Sequence, residues 1–292
     1  MKTTEESFLV RRRTLVLLAA VILFLPPLSL LFQAVSGDTN FCGKWCPRMF
    51  FTWRAGMTGG DFLLGMARSY LGVALVAGMA ATTLFLGRYW CSHACPVGAA
   101  TELGSRLLPR FLKIDYRGIP AAPVRYGYLS VYLIAPLVGL GSLCCSYCNF
   151  ATVPRIFGAL FSHADLVYFF RAYGMINLGM IVLLGFAARG GRAYCNFFCP
   201  VGAVDALFSK VGDLLGGKRM RITHQCNGCG ACRDACPTGA VRLEPGRASI
   251  DQLSCVPCGG CATACPRHAV AYGGKTLPAP VRAGAREEGG RA

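Results

Sequence analysis

The chain has few charges and few histidines. Of its 292 residues only 15% are charged and four are histidine: His93, His163, His224 and His268. None of these lies within an apolar run, which excludes a pair of haems ligated mid-membrane. C-x-x-C-H is missing, so there is no c-type haem attachment. No glycine-rich fingerprint joins a strand to a helix, which leaves out a nicotinamide or flavin domain. No Ser/His/Asp or paired-carboxylate arrangement can be assembled. Acidic residues number 14 against 30 basic ones, for a net charge of +16. In a chain that is 54% hydrophobic, that balance fits an apolar body with basic ends rather than a nucleic-acid binder. Asp61, Glu102 and Asp205 fall near helix ends and are expected to face water. Glu102 and Asp205 are the carboxylates best placed to take a proton from a quinol. His93 is expected at a solvent-facing helix end.

Cysteine is abundant, with 17 in all. Residues 226–266 read C-N-G-C-G-A-C-R-D-A-C-P and then C-V-P-C-G-G-C-A-T-A-C-P. Each half is C-x2-C-x2-C-x3-C-P, in which three thiolates hold one cubane and the fourth reaches the other. Cys226, Cys229, Cys232 and Cys265 are therefore expected to bind one 4Fe–4S cluster, and Cys255, Cys258, Cys261 and Cys236 a second. Zinc sites use four-ligand sets without the doubled proline run. Paired clusters serve electron transfer, and they require a reducing compartment.

The remainder reads as a membrane domain over 14–221, after a basic N-terminus at 1–13 and before a ferredoxin domain at 222–272 and a disordered tail at 273–292. Apolar spans are expected near 14–35, 68–87, 124–143 and 171–188, each about long enough for a hydrocarbon core of about 30 Å. The first also fits a cleaved secretory signal. Residues 36–67 carry three Lys or Arg and 144–170 carry one, whereas the other connections are rich in arginine. The positive-inside rule then puts both termini and the ferredoxin domain in the cytoplasm of a multi-pass protein of the bacterial inner membrane.

The membrane part repeats. R-Y-W-C-S-H-A-C-P-V-G-A, from Arg88, matches R-A-Y-C-N-F-F-C-P-V-G-A, from Arg192, at a separation of 104 residues. The predicted fold is thus an all-α four-helix transmembrane bundle from a duplicated two-span unit, plus a C-terminal α+β bacterial ferredoxin domain for two 4Fe–4S clusters. A C-x3-C pair on one helical turn would put both thiolates on one face. Two copies supply the four that a cubane needs. Cys91, Cys95, Cys195 and Cys199 are expected to hold a third cluster at the cytoplasmic membrane face, with Arg88 and Arg192 offsetting its charge. Cys42, Cys46, Cys144 and Cys148 form a second four-cysteine set on the exported side. They fit a fourth cluster, disulfides or a thiolate copper site; Cys145 could stand in for Cys144.

These motifs resemble the ferredoxin-type membrane iron–sulfur proteins of the NapH/MauN family, to which the regulator NosR is related. The resemblance covers about Thr14 to Tyr272. It rests on Cys91, Cys95, Pro96, Cys195, Cys199 and Pro200, and on the run from Cys226 to Cys265. It implies electron transfer from quinol, or from a cytoplasmic donor, to a periplasmic redox enzyme or cytochrome, as in a quinol dehydrogenase component. Two alternatives stay open: a maturation factor for a periplasmic redox enzyme, and a transmembrane reductant of exported thiols or copper. A 30 Å core is a long single tunnelling step, so a quinone is a further candidate cofactor.

Overall fold

A computed structural model describes residues 4–25, 56–139 and 143–274. It is mostly helical, with a small α+β unit at the C-terminal end. In chain order the helical part runs α1 (Thr4–Phe24), α2 (Gly59–Arg68), α3 (Tyr70–Leu86), α4 (Tyr89–His93), α5 (Pro96–Leu107), α6 (Ala121–Leu137) and α7 (Leu143–Ser146). It continues with α8 (Asn149–Gly158), α9 (His163–Phe169), α10 (Ala172–Ile181, extended by a π turn to Phe186), α11 (Ala193–Phe197) and α12 (Pro200–Leu214).

Helices lie within all four expected spans, the first described only as far as Leu25, but among the described residues no single one is long and apolar enough to cross a membrane. The 17 residues of α3 rise about 25 Å, short of a core about 30 Å thick. Two bent pairs reach the required length and composition together: α2 with α3, turned by 87°, and α9 with α10 and its extension, turned by 83°. Each is a short helix followed by an apolar one at nearly a right angle, so the repeat includes the approach to the apolar segment. Most of residues 150–170 falls in the two helices α8 and α9.

The two halves exchange partners. Helix α5 of the first half packs on α1 and on the π turn of the second half, and α12 of the second half packs on α3 of the first and on α6. Small residues permit this: Gly98, Ala99, Ala100, Thr101 and Ser105 form the buried face of α5. Phe24, Val97, Ala100, Val153, Ile181 and Tyr194 make the largest core cluster of this body.

The α+β unit has two antiparallel strand pairs. β1 (Arg219–Ile222) pairs with β4 (Val270–Gly273), Arg219 opposite Gly273, and β2 (Val241–Glu244) with β3 (Arg247–Ile250), Val241 opposite Ile250. Pro245 and Gly246 turn the β2–β3 hairpin, Gly246 with φ of 74°, as a Pro-Gly turn requires. Between the pairs sit α13 (Ala231–Asp234) and α14 (Gly260–Ala264). Cys232, Cys236 and Cys261 belong to the core of this unit, and Cys226, Cys255 and Cys265 pack against it.

Candidate metal centre

The cysteines fall into groups. In the α+β unit, Cys255 feels the charges of Cys258, Cys261 and Cys236, while Cys232 feels those of Cys226 and Cys265. Backbone N–H groups donate to sulfur: Gly228 and Ala248 to Cys226 Sγ, each at 3.5 Å, Ala240 to Cys236 Sγ at 3.3 Å, and Ala269 to Cys265 Sγ at 3.3 Å. Such donors stabilise thiolate charge, and the 13 cysteines whose side chains are described are all free thiols. Donor set and surroundings therefore fit 4Fe–4S groups. Cys229 is the exposed member.

A third group forms in the helical body. Cys195 interacts electrostatically with Cys95 and Cys199, and Cys91 with Cys95 and Cys199. Gly202 N–H donates to Cys199 Sγ at 3.3 Å. Burial pushes the Cys195 thiol up to about 12; Arg192 opposes this, and the neighbouring thiols add to it. Burial likewise pushes Cys91 well above the ordinary thiol value. Burial raises Cys95 as well, and thiols so raised ionise together only with a cation among them, which suits an iron cluster. Among the described residues, no three His, Cys, Asp or Glu side chains surround a single ion.

The local geometry differs from one continuous helical turn. Cys91 lies within α4, but Cys95 is extended (φ −70°, ψ 114°) and caps α5; Cys195 lies within α11 and Cys199 (φ −80°, ψ 111°) caps α12. The prolines are the cause. A residue before proline is driven out of the helical region, and proline then opens the next helix at its first turn. Pro96 and Pro200 thus end one helix and start another, and the two cysteines of each pair lie on different elements.

Two buried arginines cross between the halves. Arg192 is 1% exposed. Its Nε and Nη2 donate to Glu102 Oε2 at 2.9 and 2.8 Å, and Nη1 to the Cys91 carbonyl. Arg88, also 1% exposed, reaches Asp205 Oδ2 at 3.4 Å. So the arginine of each copy pairs with the acid of the other. The glycines of the paired V-G-A motif make room. A Cβ on Gly98 would overlap the Arg192 guanidinium, and one on Gly202 would lie 3.0 Å from Arg88 Nη2 and 3.2 Å from the Cys195 carbonyl oxygen.

Two of the three acids, Glu102 and Asp205, do not face water as expected. Glu102 is 4% exposed and Asp205 is fully buried. Glu102 also takes Arg13 at 2.8 and 2.7 Å and Arg106 at 2.7 Å. Burial pushes its carboxyl up, but Arg192 and Arg13 outweigh that and hold its pKa at about 2. An acid so held is a poor proton acceptor. Asp205 lies inside α12, accepts from Thr83 Oγ1 at 2.6 Å and stands 3.3 Å from Cys91 Sγ. Asp61 is exposed, in a capping box with Thr58. His93 is only partly exposed, stacked on Tyr89 with ring centroids 4.1 Å apart and bonded to Ser92.

Sequence reasoning missed Arg125. This residue of α6 is 1% exposed and donates from Nε to the Asn196 carbonyl at 2.7 Å and from Nη1 to the Leu253 carbonyl at 2.6 Å. Its signal was a cation at the start of an apolar run, a costly placement that marks function in a membrane segment. Of the exported set, Cys42, Cys46 and the side chains of Cys144 and Cys145 lie outside the described residues. Cys148 is a partly buried free thiol capping α8. The tail beyond Gly274 also lies outside the described residues.

Comparison with known proteins follows the same divisions. A family model described as a 4Fe-4S binding domain matches residues 69–115 and again 172–222, one match per repeat copy. Another, described as a 4Fe-4S dicluster domain, matches 225–269. The methylamine utilization ferredoxin-type protein MauN of Methylobacillus flagellatus is 29% identical over 171 residues, covering 57% of this chain and 53% of its own. YccM of Escherichia coli, named as an electron transport protein, is 30% identical over 167 residues, covering 53% and 43%. MauN of Paracoccus denitrificans is 30% identical over 159 residues, covering 52% and 48%. The chain spans about half the length of these curated relatives. No solved structure matches it.

Proposed function

The chain belongs to a ferredoxin-type iron–sulfur family, and from that premise we propose that it is a membrane-bound electron carrier with three 4Fe–4S clusters. The ferredoxin unit would hold two of them through Cys226, Cys229, Cys232 and Cys265 and through Cys236, Cys255, Cys258 and Cys261. Cys91, Cys95, Cys195 and Cys199 would hold the third. A bound cubane supplies one-electron chemistry. The protein's own part is to assemble the thiolates, offset their charge with Arg88 and Arg192, and keep water away. The observation that carries this reading is the reciprocal pairing of the two repeat copies around four mutually interacting thiols.

The membrane assignment draws support from apolar side chains left in the open. Leu64, Phe85, Ile134, Leu137, Ile176 and Leu183 are all exposed, and so many large apolar side chains left open fit a nonaqueous surround better than water. The bent pairs support it too, since a short amphipathic helix lying in the interface turns naturally into a crossing segment. In this reading the termini and clusters face the cytoplasm. Electrons pass between quinol or a cytoplasmic donor and a periplasmic redox partner, with a fourth cluster, a copper site or a quinone on the exported side as further candidates.

The test is to wash membranes with alkaline carbonate, extract the protein anaerobically in detergent, and count iron and sulfide. A chain retained in the membrane with about twelve iron atoms, at four per cubane, supports the proposal. Release by the wash would refute the membrane assignment. Iron for only two cubanes would refute the third site.

A further inference from the structure

The two cysteine groups of the ferredoxin unit are not equally placed against the helical body. Contacts gather on the loops that carry Cys236, Cys255 and Cys258. The Leu253 carbonyl, two residues before Cys255, accepts from Arg88 Nη1 at 3.1 Å and from Arg125 Nη1 at 2.6 Å. Arg125 Nη2 also reaches Ser254 Oγ at 3.5 Å. The Pro257 carbonyl, next to Cys258, accepts from Ser92 Oγ at 3.5 Å. The Thr238 carbonyl, two residues after Cys236, accepts from Asn196 Nδ2 at 3.2 Å.

The helical partners belong to the paired-cysteine site. Ser92 follows Cys91, Asn196 follows Cys195, and Arg88 interacts with Cys91, Cys195 and Cys199 of that site. Arg125 grips both sides at once, through the main chain and side chain of Asn196 and through Leu253. Four hydrogen bonds from its planar fork fix it, a geometry lysine cannot copy. The other cysteine group ends in the exposed Cys229.

We infer that the loop bearing Cys255 and Cys258 is the electron port of the ferredoxin unit toward the paired-cysteine site, and that Arg125, with Arg88, is the positioning residue that seats it. This rests on the reading that Cys91, Cys95, Cys195 and Cys199 hold a cluster. The step moves one electron between the group on Cys236, Cys255, Cys258 and Cys261 and the group on the paired cysteines; one is oxidised as the other is reduced. No bond forms or breaks and no proton moves. The group on Cys226, Cys229, Cys232 and Cys265 then faces the outside donor or acceptor.

Full-length protein, purified anaerobically and reduced with dithionite, is examined by electron paramagnetic resonance. The readout is the microwave power at which the paired-cysteine signal saturates, because a nearby reduced cluster speeds its relaxation. Cys258→Ala should lower that power several-fold, and Cys229→Ala should leave it unchanged. Arg125→Leu keeps every ligand; it should retain wild-type iron yet show the lowered power, with Arg125→Lys restoring it only in part. Equal effects of Cys229→Ala and Cys258→Ala, or a wild-type value in Arg125→Leu, overturn the inference and leave the third cluster standing. Iron for two cubanes and no third signal overturns the reading beneath it as well.

Discussion

Replacing Glu102 by glutamine removes the one carboxylate that Arg192, Arg13 and Arg106 share. Arg192 would keep its charge at 1% exposure with carbonyl oxygens for company. Two estimates of the cost agree. Breaking a buried ion pair by deleting one member costs about 3–5 kcal/mol, because the survivor's charge stays buried without compensation. Independently, a carboxyl lowered from 4.5 to about 2 contributes roughly 3 kcal/mol at about 1.36 kcal/mol per pKa unit. For a domain of this size that is a fall of roughly 6–12 °C in Tm, read at neutral pH by intrinsic fluorescence. The folded pKa is the lower one, so the contribution is complete above pH 4.5 and fades as the pH drops toward 2. The glutamine variant should lack that pH-dependent loss. A double-mutant cycle makes the test strict: with Arg192→Leu already present, Glu102→Leu should cost far less than it does alone. A cost below about 1 kcal/mol, or the same cost with and without Arg192, would refute the account.

Other outcomes follow from the same contacts. Gly98→Ala should cost about 1–3 kcal/mol and lower bound iron, since its methyl group would displace an arginine pinned by Glu102. Gly202→Ala should be milder, because the nearest atom stands 3.0 Å away; thermal midpoints and iron content of the two variants, compared side by side, check the order. Asp205→Asn should cost toward the low end of about 3–5 kcal/mol, since Arg88 keeps the Leu253 carbonyl as a partner. A denaturant midpoint equal to that of the wild type would show that Asp205 does not hold Arg88.

How much of this could be read in advance depended on the range of each interaction. Cysteine spacing is local, so the ferredoxin run and the doubled C-x3-C-P were visible, and the two family models match along them. Pro96 and Pro200 were legible as part of the doubled motif. The rule on residues preceding proline also held the extended Cys95 and Cys199, which were instead expected on one helical turn. The partners of Arg88 and Arg192 were out of reach, because each lies about a hundred residues away in the other copy. Glu102 and Asp205 looked like surface acids for the same reason: a buried carboxylate is recognisable only beside the cation that neutralises it. Arg125 carried a sequence signal, but its partners on Asn196 and Leu253 depend on how two domains dock.

The crossed arginines also bear on how a near-symmetric body receives a single ferredoxin unit. Shifted by the repeat of 104, Asp205 corresponds to Thr101 and Glu102 to Ala206, so the two acids occupy neighbouring rather than equivalent positions. Glu102 and the Cys91 carbonyl absorb Arg192, whereas Arg88 retains a donor that reaches out to Leu253. A one-residue slip in where each copy keeps its acid thus leaves one hand free and the other occupied, and the twofold scaffold gains a handedness that tells its lone passenger which side to board.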